Sequence, residues 1–159
     1  VQMSFDLPDI RKPVYDRDLT IQAVEDVFER YRYFRNVEFE EIEAKVTASY
    51  VLREGGHSGG LSDSTANIAV RNVDEPNMRL MFIEKVERCV SRLPLPQQKL
   101  IRLKYMQDEE VYDYQVYQIE LGIAEGTFTK IRWKAIERLA GMLRVGVLKE
   151  KGDVRDGKN

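Results

Sequence analysis

The chain has 159 residues, 43% apolar, 33% charged and 9% aromatic, which suffices for one compact domain or two small ones sharing a core. A single cysteine, Cys89, excludes an internal disulfide and a cysteine-built metal cluster, and a single histidine, His57, excludes a multi-histidine site. The formal net charge of −2 conceals an asymmetry: residues 1–80 hold 10 basic and 15 acidic groups and residues 81–159 hold 15 and 12, so the halves carry −5 and +3.

Val1 to Asp9 carry two acids and a proline instead of a basic-then-apolar leader, so the expected address is the cytoplasm. The longest apolar runs fall far short of the roughly 20 residues that cross a bilayer, and no membrane span is expected. From Thr20 to about Tyr33, the residues Ile21, Val24, Val27, Phe28 and Tyr31 recur at helical spacing. Asp18 or Thr20 is the expected cap. Val37 to Leu52 places Phe39, Ile42, Val46 and Tyr50 three or four apart, a second helix or, around Thr47 to Val51, an extended piece.

Residues 54–64 read EGGHSGGLSDS, a flexible loop. Its paired glycines lack the Gly-Lys-Ser/Thr of a phosphate loop, and His57 has no neighbouring carboxylate to orient it, so it reads as a solvent-exposed loop residue. Asp74 then caps a helix with Pro76 in its first turn, running to Arg92 with Leu80, Ile83, Val86 and Val90 inward and Cys89 as a small residue near the core. Pro94 and Pro96 end it and open another helix, about Gln97 to Met106. Asp108 to Glu110 form a turn. Two further helices, about Tyr112 to Leu121 and Glu125 to Arg144, meet at Gly122, which suits a left-handed corner and predicts a helix-turn-helix. The fold class is mainly α. The expected organisation is a helical N-terminal region (1–54), a Gly/Ser-rich loop and linker (55–73), a helix-turn-helix domain (74–148) and a disordered tail (149–159).

Residues 93–143, LPLPQQKLIRLKYMQDEEVYDYQVYQIELGIAEGTFTKIRWKAIERLAGML, resemble the promoter-binding fourth region of bacterial sigma factors. The likeness is carried by the Leu-Pro opening, Ile101-x-x-x-Tyr105, Leu121-Gly122-Ile123 and Ala135-x-x-x-Leu139. FEEIEAKVTASY (39–50), SDSTANIAVRNVDEP (62–76) and TKIRWKA (129–135) resemble the ArpU family of phage and prophage transcriptional regulators. That resemblance implies control of late phage genes, with double-stranded DNA as partner and host RNA polymerase as a further one. Sigma factors often carry several arginines early in the last helix, where this chain has Glu125, Gly126 and Thr127, so a standard promoter element is not the expected target.

In a helix-turn-helix the second helix enters the major groove with its first turns facing base edges. Between Thr129 and Lys151 seven Lys or Arg stand against two acids, an excess that hints at a polyanionic partner. Phe128, Ile131, Ala135, Ile136 and Leu139 fit the inward face. Outward, Glu125, Thr127, Thr129 and Lys130 are the expected base contacts, and Arg132, Lys134 and Arg138 the expected phosphate contacts. The plainer alternative is a solvated stripe in which Lys134 pairs Glu137. Trp133 fits either packing against the first half or lying along the DNA backbone. A second function remains open: a DNA-packaging adaptor of small-terminase type, homo-oligomeric and reading shape more than sequence. No nucleophile with a base and no metal motif is present, so neither an enzyme nor a cofactor is expected.

Overall fold

A carboxylate starts the first helix. Asp16 accepts the Leu19 amide at 3.0 Å, and α1 (Arg17–Val51) follows. The computed structural model describes residues 11–51 and 63–150, with side chains described for 11–48 and 75–150. Residues 54–62 of the Gly/Ser loop, His57 among them, and the last nine residues of the expected tail lie outside these. The cap is thus Asp16 and not Asp18 or Thr20, because the Thr20 hydroxyl has another use: it accepts the Val147 amide at 3.1 Å and donates to the Val147 carbonyl at 3.3 Å.

The two segments predicted at 20–33 and 37–52 form one 35-residue helix. No Gly or Pro interrupts Phe34-Arg35-Asn36, so nothing breaks the hydrogen-bond ladder. The Thr47 hydroxyl donates to the Glu43 carbonyl at 2.9 Å, which settles that stretch as helix and not strand.

The second helix, α2 (Asp63–Ser91), begins eleven residues before the expected cap and carries Pro76 in its interior. The proline removes one ladder bond. One turn later, the α2 side chain Arg79 anchors to α1: it donates to Glu38 at 3.1 Å and to Glu41 at 2.7 Å, with Glu75 at 3.8 Å. This clamp holds the helix pair together beside the proline.

Pro94 serves as N-cap of α3 (Leu95–Tyr105), close to the predicted 97–106. The next segment departs from expectation. Residues 115–120 form a π-helix, Gln115–Glu120, in which Leu121 donates to Val116 at 2.9 Å. Gly122 then adopts φ +60°, the left-handed turn expected of it, and α4 (Glu125–Leu143) follows. Arg144 closes α4 in a left-handed conformation, φ 58°.

Helices take 76% of the described residues, and no strand forms among them. No helix among the described residues is long and apolar enough to cross a membrane. One core draws from both sides of the Gly/Ser loop: Val24, Phe28 and Tyr31 of α1 meet Val86 and Val90 of α2, Leu100, Ile101 and Tyr105 of α3, and Phe128, Ile136 and Leu139 of α4. Cys89 is half-buried against this core, as expected. After α4 the chain returns to the start of α1. Asp16 donates to Val147 at 2.8 Å, Lys149 donates to Val14 at 3.0 Å, and Tyr15 and Leu148 form an antiparallel bridge. Gly146 permits this closure, since a Cβ there would lie 2.3 Å from the Tyr15 ring. Lys149, assigned by sequence to the tail, is part of the bridge.

Candidate nucleic-acid interface

The inward face of α4 follows its sequence pattern. Phe128, Ala135, Ile136, Leu139, Ala140 and Leu143 are buried and Ile131 is half-buried. Phe128 packs on Tyr117 of the π-helix, ring centroids 5.6 Å apart, which fixes the angle between the two arms of the corner.

The predicted outward residues divide into three groups. Thr127, Lys130, Lys134 and Arg138 step by three, four and four, a single stripe on a helix, and all are exposed. No ion pair engages Lys130, Lys134 or Arg138 among the described residues. Glu137, the pairing partner considered for Lys134, binds Lys12 instead at 2.7 Å. Glu125 and Thr129 are also exposed but stand two residues, about 200° of rotation, from Thr127, on the other side of the first turns from the stripe, with the Thr129 hydroxyl donating to the Glu125 carbonyl at 3.0 Å. That hydroxyl proton is occupied, leaving the oxygen as an acceptor and the methyl free to meet a ligand.

Arg132 departs from its assignment as a phosphate contact. Its guanidinium turns inward and donates to Glu25 at 2.6 Å and to the Tyr105 hydroxyl at 2.7 Å, with Asp113 at 3.7 Å. Tyr105 in turn donates to Glu25 at 3.0 Å and stacks on Phe28 at 5.1 Å. Burial raises the Tyr105 phenol well above its ordinary 10; the nearby Arg132 charge opposes this and Glu25 adds to it. Arg132 therefore locks α4 to α1 and α3. The spacing of Arg132 to Phe128 and Ile136 was a signal for its inward turn, but its partner was hidden, because Glu25 lies 107 positions away.

Trp133 is half-buried against the core, with the Arg17 guanidinium 5.4 Å above its ring. Of its two readings, packing against the first half of the chain is the one the structure adopts.

At the start of α4, Ala124 is the N-cap and offers no side-chain oxygen to the first-turn amides. These amides and the positive end of the helix dipole sit at the head of the stripe, an arrangement that favours an anion. Lys85 and Arg88 of α2 and Arg92, just after it, lie beside the later half of α4: Met142 shares one shallow concavity with all three.

No protein-family model, curated protein or solved structure matches the chain.

Proposed function

We propose that this chain is a sequence-specific DNA-binding regulator that sets the first half of α4 into the major groove. The observation that carries this reading is the stripe Thr127, Lys130, Lys134 and Arg138, exposed and free of ion pairs among the described residues, on a helix that begins directly after a left-handed glycine corner. Lys130 donates to guanine O6 or N7, Thr127 and Thr129 meet bases or a thymine methyl, and Glu125 accepts from a cytosine amine. Lys134 and Arg138 meet phosphates further along the helix. Arg132 supports the surface from behind and does not enter it.

Membership of the ArpU family, control of late phage or prophage genes, action in the bacterial cytoplasm and host RNA polymerase as second partner belong to the same proposal. They rest on the residue patterns at 39–50, 62–76 and 93–143. Selection of duplexes from a random pool at about 150 mM salt, where purely electrostatic binding is suppressed, tests it directly. An enriched motif is the expected result. Lys130→Glu with Lys134→Glu should then abolish specific binding with the circular dichroism spectrum unchanged. Lys130→Ala alone should cost about 1–3 kcal/mol and relax one base position. Binding unaltered by the double reversal overturns the groove assignment.

A second reading, the oligomeric packaging adaptor, is favoured by one observation. Phe39, Ile42 and Val46 form an apolar row on the outer half of α1, 63%, 59% and 51% exposed. A solution mass of a ring of subunits, together with no enriched motif, would put it first.

A further inference from the structure

Arg88, on the last turn of α2, and Arg92, in the turn that follows it, stand four apart, and Lys85 precedes Arg88 by three; all three side chains line one concavity. All three are exposed, and no ion pair holds any of them among the described residues. Glu84, one turn before Arg88, makes none with it, and Glu87 is turned to the opposite side, where it accepts the Tyr31 hydroxyl at 2.8 Å. The concavity lined by Lys85, Arg88, Arg92, Cys89 and Met142 contains no acid among the described residues. A neighbouring concavity shares Arg92 and Met142 with it and adds Arg138 of α4. Its one acid, Glu137, is already neutralised by Lys12. The basic surface is thus continuous from the α4 stripe, through Arg138, across the seam onto α2.

The dimensions match a duplex. From Lys130 to Arg138 the helix rises by about 12 Å at 1.5 Å per residue, and the major groove of B-form DNA is about 12 Å wide. With Lys130 among the bases, Arg138 reaches the strand that borders the groove, and Arg92, Arg88 and Lys85 extend along it.

We propose that Lys85, Arg88 and Arg92, joined to α4 through Arg138, form a track for the DNA phosphate backbone. The duplex is then held across the α2–α4 seam as well as by the recognition helix. This rests on the DNA-binding reading and adds a surface to it. The track contributes affinity and salt dependence, not base choice, because it meets only phosphates.

The test is a salt titration of binding to a mixed-sequence duplex of about 30 base pairs, roughly three turns. It compares the full chain with the variant Lys85→Gln, Arg88→Gln, Arg92→Gln. Each lost phosphate contact lowers the log–log salt slope by about 0.9, so three contacts reduce it by about 2.7, and the affinity lost between about 50 and 200 mM salt shrinks about 40-fold. The charge-keeping variant Lys85→Arg, Arg88→Lys, Arg92→Lys should retain the parental slope, which separates charge from folding. A flattened slope in the first variant alone establishes the track. Steep binding by the parent with an unchanged slope in the variant overturns the track and leaves the α4 reading intact; the face then suits an acidic protein surface. Absence of DNA binding by the parent overturns both.

Discussion

Arg132 and Lys130 are two residues apart in sequence and have opposite roles. The Lys130 ammonium has no ion pair among the described residues, while the Arg132 guanidinium meets Glu25, Tyr105 and Asp113. Arg132→Gln should therefore behave as a stability variant. It leaves Glu25 and the Tyr105 hydroxyl without their cationic partner, and because Glu25 is 40% exposed, solvent limits the cost to about 1–2 kcal/mol. Thermal unfolding should show the loss as a midpoint about 2–8 °C lower, with the salt slope of DNA binding unchanged at temperatures where the variant is folded. A flatter slope without a lower midpoint would return Arg132 to the ligand-facing set. Spacing alone separates the two residues, since Arg132 stands four from Phe128 and four from Ile136 on the inward face of α4; what sequence could not supply is the identity of the α1 carboxylate that meets it.

Local signals decided how well each element could be foreseen. Pro94 caps α3 soon after α2 ends, Pro96 sits in its first turn and Gly122 turned the corner, each through a backbone property that no tertiary contact has to supply. The inward side of α4 was legible from its period for the same reason. Where no such signal stood, the reading failed. Nothing in Phe34-Arg35-Asn36 announces whether two amphipathic stretches are joined, and Pro76 marks a helix start by local rule although α2 runs through it with Arg79 anchored to α1. The π-helix at 115–120 was hidden because one extra residue per turn leaves no mark on so short a pattern. Gly122→Ala probes the corner itself. A Cβ there meets nothing within 4 Å, so its cost is conformational alone. At φ +60° that is about 1–2 kcal/mol, to be read as a reduced denaturant midpoint at unchanged m-value. An unaffected midpoint would mean the turn relaxes to another conformation.

Across the whole molecule, α1 serves the basic half of the chain as scaffold. Its buried stripe and the returning segment at Val147 make one core out of an acidic first half and a basic second half. Two tyrosines in that structure tie stability to pH. Burial raises Tyr105, and burial together with the hydrogen bond to Glu87 raises Tyr31, both above 10. Between 10 and their folded values the native state holds protons that the unfolded chain has released. Their contribution is therefore complete below pH 10 and declines as pH rises through the folded values, by about 1.4 kcal/mol per pH unit for each tyrosine. Chemical denaturation across the alkaline range should show this decline, and Tyr105→Phe should make it shallower; an equal decline in that variant would remove Tyr105 as its source.

The Arg132 anchor also sets an azimuth. Two residues of α-helix correspond to about 200° of rotation, so Glu25 and Tyr105 grip α4 almost diametrically opposite Lys130 and prevent it from rolling about its own axis. A rod that cannot roll offers its outer side chains at one fixed angle. Altering the carboxylates behind the helix would therefore turn the outward stripe to another angle, with every residue of that stripe left as it is.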